Sequence, residues 1–312
     1  MATTLFQSSG DVTADRRYSF ARDFAERGDF SAAADLLAQT VELAPGFAAA
    51  WSALGEAYEK LGQTAEAIAA FREAIARDAN DPYGASLHLV RLGVADVGDM
   101  PAHYVREVFD QYAARFDDAL TRGLSYKGPE LLFAAVRETC VASGREIRFK
   151  SLLDLGCGTG LGAVPFLPFV DQIAGVDLSP NMVDLARGKN IYDRLAVGDI
   201  LAFLANEKIS AQHDLVLAAD VFAYFADLAP VIAASARVME AGGVLAFTVE
   251  THARDGIILG EKLRYAHGAA HVRQACAAAG LDVVLLKEAA TRNEAGVPVP
   301  GLVVVAWHSA PG

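Results

Sequence analysis

At 312 residues, 53% of them hydrophobic and 21% charged, the chain has the composition of a folded protein of about two domains and not of a disordered one. A net charge of −12 and a pI near 5.0 exclude nucleic acid as an expected partner, because the body of the protein repels phosphate. Cys140, Cys157 and Cys276 form no C-x-x-C pair, so neither a disulfide framework nor a metal site is expected. No apolar run reaches the ~18 residues of a membrane span, and the first residues lack a signal-peptide pattern, so the expectation is a cytoplasmic protein without membrane contact.

In chain order, the first hundred residues are helical and repetitive. Trp51, Leu54, Gly55, Tyr58, Ala67, Phe71 and Ala74 follow the pattern W-x2-L-G-x2-Y, then A-x3-F. One period of about 34 residues earlier, Phe20, Ala21, Phe24, Ala33 and Leu37 hold the equivalent places. This resembles the tetratricopeptide repeat. The resemblance implies an all-α domain over 1–98, with repeats at 14–47 and 48–81, a capping helix near 83–93, and a small concave surface for a protein partner. Glycine and proline within 94–103 mark the domain boundary.

Residues 104–150 predict further helix. Tyr104, Val108, Phe109, Tyr112, Ala113 and Phe116 recur at helical spacing, and Tyr126 precedes a second helix opened by Pro129. Periodicity alone makes these aromatics core.

From 151 onward strands alternate with helices. Strands are expected near 151–155, 172–177, 191–197, 213–219, 243–250, 281–288 and 301–308, which implies a doubly wound α/β sheet. The link between the last two is too short for a crossover helix, so they are expected to run antiparallel. The first strand runs into Asp154-Leu155-Gly156-Cys157-Gly158-Thr159-Gly160, and the second ends on Asp177, about 20 residues past the turn, where a ribose diol lies in a βαβ unit. A dinucleotide fingerprint counted from Gly156 needs glycine where Leu161 stands, so a diphosphate is not the obvious guest.

The DLGCGTG string resembles the first motif of class I S-adenosylmethionine-dependent methyltransferases. Together with the repeats, the strings YVREVFDQYAARFD, LSYKGPELL and R-Y-x-H resemble the tetratricopeptide-repeat-containing predicted methyltransferases. That resemblance implies a Rossmann-like seven-stranded sheet with its last strand antiparallel over 151–312, and S-adenosylmethionine as cofactor. Asp154, Gly156, Gly158 and Gly160 would take the methionine end, Asp177 the ribose, Leu178 and Met182 the adenine face, and Asp199 and Ile200 the adenine edge. Asp220 either caps the following helix or stands near the sulfonium. Over 104–150 the resemblance implies a lid whose Tyr112, Phe116 and Tyr126 touch ligand. Candidate proton acceptors or orienting groups are Glu250, His252, His267 and Tyr224. The expected function is methyl transfer to a small-molecule or protein acceptor, with an adaptor that binds the cofactor with little turnover as the alternative. A nicotinamide-dependent oxidoreductase is disfavoured by Leu161 and by the lack of a Tyr-x-x-x-Lys pair.

Overall fold

The computed structural model describes residues 8–118, 125–207 and 213–308. It divides into two compact units, Met1–Gln111 and Tyr112–Gly312.

The first unit contains α1 (Val12–Glu26), α2 (Phe30–Leu43), α3 (Ala48–Lys60), α4 (Thr64–Arg77), α5 (Ala85–Arg91) and most of α6 (Ala102–Tyr112). Asp11 and Asp29 accept hydrogen bonds from the first-turn amides of α1 and α2, as helix N-caps do. Buried alanines at 33, 50, 53, 57 and 67 let neighbouring helices approach closely. The boundary differs from the expected break at 94–103. Tyr104 of α6 lays its ring on Gly84, where a Cβ would lie 2.9 Å from Tyr104 Cδ2, so α6 packs with α5 and residues up to Gln111 stay in the first unit.

The second unit holds α7 (Phe116–Asp118), α8 (Gly128–Ala142), β1 (Phe149–Leu155), β2 (Val170–Asp177), α9 (Pro180–Gly188), β3 (Arg194–Val197), α10 (Ile200–Asn206), β4 (His213–Ala218), α11 (Ala229–Arg237), β5 (Met239–Glu250), β6 (Ile257–Leu259), β7 (Tyr265–His267), α12 (Ala269–Ala278), β8 (Leu281–Glu288), β9 (Asn293–Glu294), β10 (Val297–Pro298) and β11 (Gly301–His308). The sheet runs β3-β2-β1-β4-β5-β11-β8; the first five are parallel, and β11 is antiparallel to both neighbours. Successive side chains of the buried strands serve opposite faces. Leu153, Leu155 and Val216 join one core with Val231 and Ile232 of α11, while Leu152, Leu215 and Leu217 join another with Leu132 and Val136 of α8. Within the R-Y-x-H string, Tyr265–His267 pairs with β5 and β6 as a short strand before α12 begins.

Candidate functional site

The carboxyl ends of the parallel strands, where open α/β sheets bind ligands, collect most of the singled-out residues. After β1 the chain turns through Gly156, Gly158 and Gly160 at φ of +62°, +51° and +94°, a region that side-chain-bearing residues avoid. Crowding reinforces the requirement. A Cβ at Gly156 would stand 2.5 Å from Val221 Cγ2, in the loop after β4. At Gly158 the nearest neighbour would be Phe116 Cε1 at 3.7 Å, so the aromatic ring faces the turn without filling it.

Asp177, 9% exposed at the end of β2, ties this turn to the next helix. The Gly158 amide donates to Oδ2 and the Ser179 amide to Oδ1, each at 2.8 Å. Ser179 in turn caps α9 by accepting from the Met182 amide at 3.1 Å. Asp154, only 1% exposed, accepts from the Tyr192 hydroxyl at 2.6 Å. Burial pushes its carboxyl up to about 7 against that hydrogen bond, and the Asp177 charge adds to the rise.

Other expected contacts sort differently. Met182 is fully enclosed by protein and offers no surface to an adenine ring; the helix turn that Ser179 caps directs it into the core instead. Leu178 is half-buried beside Asp177. Asp199 caps α10 by accepting from the Ala202 amide at 2.9 Å, and the Ile200 side chain lies in the core. Tyr112 is left exposed. Its neighbour segment is nevertheless fastened to the glycine turn: Asp117 bonds Thr159 Oγ1 and accepts from Lys189 Nζ at 2.7 Å.

Beyond β4 and β5 lies a charge network that the sequence reading did not assemble. Asp220 adopts φ +57° and does not cap the following turn. Its Oδ1 accepts from Thr248 Oγ1 at 2.9 Å, and its Oδ2 from Thr291 Oγ1 at 3.1 Å and Arg292 Nη1 at 2.8 Å. Arg292 also bonds Glu250, and Arg264 bonds both Glu250 and Glu294. Burial disfavours the Arg292 charge, but Asp220 and Glu250 outweigh that and hold the guanidinium firmly protonated. Arg292 has no local pattern, because it sits in the short link between the last two strands; the signal for it is the need of acids at the strand ends for buried cations. Tyr126 and Tyr224 border this network. Burial raises both phenols, Tyr126 well above the ordinary range with the Asp220 charge adding to the rise, so both act as neutral hydroxyls.

The histidines take no part in it. His267 is fully buried, its Nε2 donates to the Phe225 and Ala226 carbonyls at 3.0 and 3.2 Å, and burial lowers it to about 4. It is therefore a structural donor and not a proton acceptor. His252 is engaged within its own loop, with Gly256 O and the Arg254 amide each at 3.2 Å. Glu250, the remaining candidate, is occupied by two guanidinium groups.

Residues 153–247 match the family model described as a methyltransferase domain, and residues 18–82 that of the tetratricopeptide repeat. The chain thus carries a methyltransferase domain, with the fold of S-adenosylmethionine-dependent methyltransferases, and an N-terminal tetratricopeptide-repeat region. Similar curated proteins include the malonyl-(acyl-carrier protein) O-methyltransferase of Serratia marcescens, 29% identical over 127 residues, 40% of this chain and 48% of that one. The ubiquinone biosynthesis O-methyltransferase of Nitrobacter winogradskyi is 28% identical over 95 residues, 30% of this chain and 36% of that one. The chain spans less than half the length of either relative. Among solved structures, the magnesium protoporphyrin IX methyltransferase of Synechocystis PCC 6803 with bound cofactor shares the fold, with a TM-score of 0.50 and 19% identity over 69% of this chain and 100% of that one. No helix among the described residues is long and apolar enough to cross a membrane.

Proposed function

We propose that the chain transfers a methyl group from S-adenosylmethionine to a small-molecule or protein acceptor at the carboxyl ends of β4 and β5, while the repeats bind a partner. The observation that carries this reading is Asp177 at the end of β2, whose two oxygens are aimed by the Gly158 and Ser179 amides beside the glycine turn, the place of a ribose diol in a βαβ unit. The donor set fits the cofactor in its other parts. The Asp154 carboxylate suits the methionine ammonium, and the Phe116 ring faces the left-handed glycine turn. Bound there, S-adenosylmethionine supplies an electrophilic methyl group on a sulfonium.

The residues around the acceptor position work by placement. Asp220, Tyr126 and Tyr224 border the space beyond β4, and the phenols can donate hydrogen bonds to an acceptor. Glu250, His252 and His267 are each bound to other groups in the described structure. An acceptor that needs no proton removed before attack therefore fits best, with orientation and exclusion of water as the chief contributions of the protein. The test is to purify the full chain, look for retained cofactor by native mass spectrometry, and follow S-adenosylhomocysteine formation over fractionated acceptor pools. Product formation supports the reading; tight cofactor binding with no product from any pool favours the adaptor alternative.

A further inference from the structure

Tyr192 belongs to none of the motifs that single out this domain. It lies in the turn between α9 and β3, yet its side chain reaches both the glycine turn and the middle of β2. A Cβ at Gly160 would lie 3.0 Å from its Cε2, and one at Gly175 2.9 Å from its Cε1, so the ring is wedged between the two. Its hydroxyl donates to Asp154 Oδ2 at 2.6 Å. From the far side the backbone of Gly162 closes on the same carboxylate, where a Cβ would stand 3.4 Å from both oxygens.

We infer that Tyr192 is a positioning residue for the cofactor: its hydroxyl aims Asp154 so that Oδ1 meets the methionine ammonium, and its ring fixes Gly160 where the methionine carboxylate docks. The inference rests on the reading of Asp154 as the ammonium contact. Geometry makes the hydroxyl more than packing, because a buried carboxylate without a donor favours its neutral form. Among the described residues, the groups that face Asp154 are the Asp177 carboxylate on β2, the Cys157 thiol in the turn, and the Tyr126 and Tyr192 phenols. Burial raises the thiol and the phenols, so Asp177 alone among these carries charge, and it opposes ionisation of Asp154. Lys189, the cation that reaches the glycine turn at Thr159, is committed to Asp117 and Thr159. The Tyr192 hydrogen bond is thus the contact that keeps the carboxylate ionised and in place.

The experiment is calorimetric titration of the full chain with S-adenosylmethionine, from about pH 5.5 to about pH 8.5, for the wild type, Tyr192→Phe and Asp154→Asn. Tyr192→Phe keeps the ring wedge, and an unchanged melting temperature will show that the fold is kept. Wild-type affinity should fall on the acid side of about pH 7. In Tyr192→Phe that fall should move to higher pH, with a loss of about tenfold at neutral pH that shrinks at the alkaline end. The ammonium of the cofactor titrates near pH 8 for every variant, and its effect cancels in the ratio to wild type. A Tyr192→Phe affinity that is unchanged, or lowered equally at every pH, overturns the inference and leaves Tyr192 as packing. Asp154→Asn should be weak with a flat acid limb; wild-type affinity and profile in that variant would instead overturn the underlying assignment of Asp154.

Discussion

Arg292 donates to Asp220 across 2.8 Å, joining the hairpin region after β8 to the loop after β4. Asp220 is held in a left-handed conformation that aspartate tolerates better than most residues, and its own amide donates to Thr248 on β5 at 2.8 Å. The floor of the proposed acceptor position is therefore fixed from three separate stretches of chain.

Removing Arg292 should accordingly be costly. Arg292→Met leaves Asp220 and Glu250 without their shared guanidinium, and breaking a buried pair from one side typically costs about 3 to 5 kcal/mol. Chemical denaturation should show a loss of that order. A loss below about 1 kcal/mol would mean that water or Arg264 replaces it.

Asp177→Asn should weaken S-adenosylmethionine binding by roughly 10- to 100-fold, since a charge-assisted hydrogen bond is worth about 1.5 to 3 kcal/mol. Asparagine is preferred to alanine because Asp177 also holds the Gly158 and Ser179 amides. Unchanged calorimetric affinity in a folded variant removes Asp177 from the cofactor site.

Two buried groups should pull stability in opposite directions with pH. Asp154 is raised to about 7 in the folded chain, so the folded state holds its proton more tightly and stability falls as pH rises from about 4 to about 7. His267 is lowered to about 4, so its contribution is intact above about pH 6.5 and is lost as pH falls toward 4. Each effect is on the order of 3 kcal/mol and they overlap in the wild type. Asp154→Asn should therefore gain stability relative to wild type at pH 8, and His267→Gln should lose less than wild type between about pH 6.5 and 4, in denaturant titrations at fixed pH.

Phe116 and Asp117 should respond to cofactor. Amide exchange over 112–118 is expected to slow when S-adenosylmethionine is added, and Lys189→Met should speed it in the free protein by removing the bond to Asp117. Identical exchange with and without cofactor, while 156–160 respond, would make this segment ordinary core.

The parallel sheet and its antiparallel strand were legible because apolar runs such as Leu152–Leu155 and Val303–Ala306 are bounded by glycine, and because a short link permits only an antiparallel return. The glycine turn and Asp177 were legible because their requirement is local: a left-handed backbone, and an acid at a strand end. Arg292 and Tyr192 were not, since each acts through partners far away in sequence and neither has a local pattern. Met182 and His267 mislead for a related reason. Sequence position places them beside the site, but helix and strand direction turn their side chains inward.

The placement of β11 between β5 and β8 has a consequence for synthesis on the ribosome. Residues 301–308 fill the gap between strands made earlier, with Leu302 to Ala306 buried to 3% exposure or less. Until they have left the exit tunnel, β5 and β8 present bare edges to the cell, the kind that recruit other chains. Nascent chains released before residue 301 should for that reason depend on chaperones and clear into the insoluble fraction.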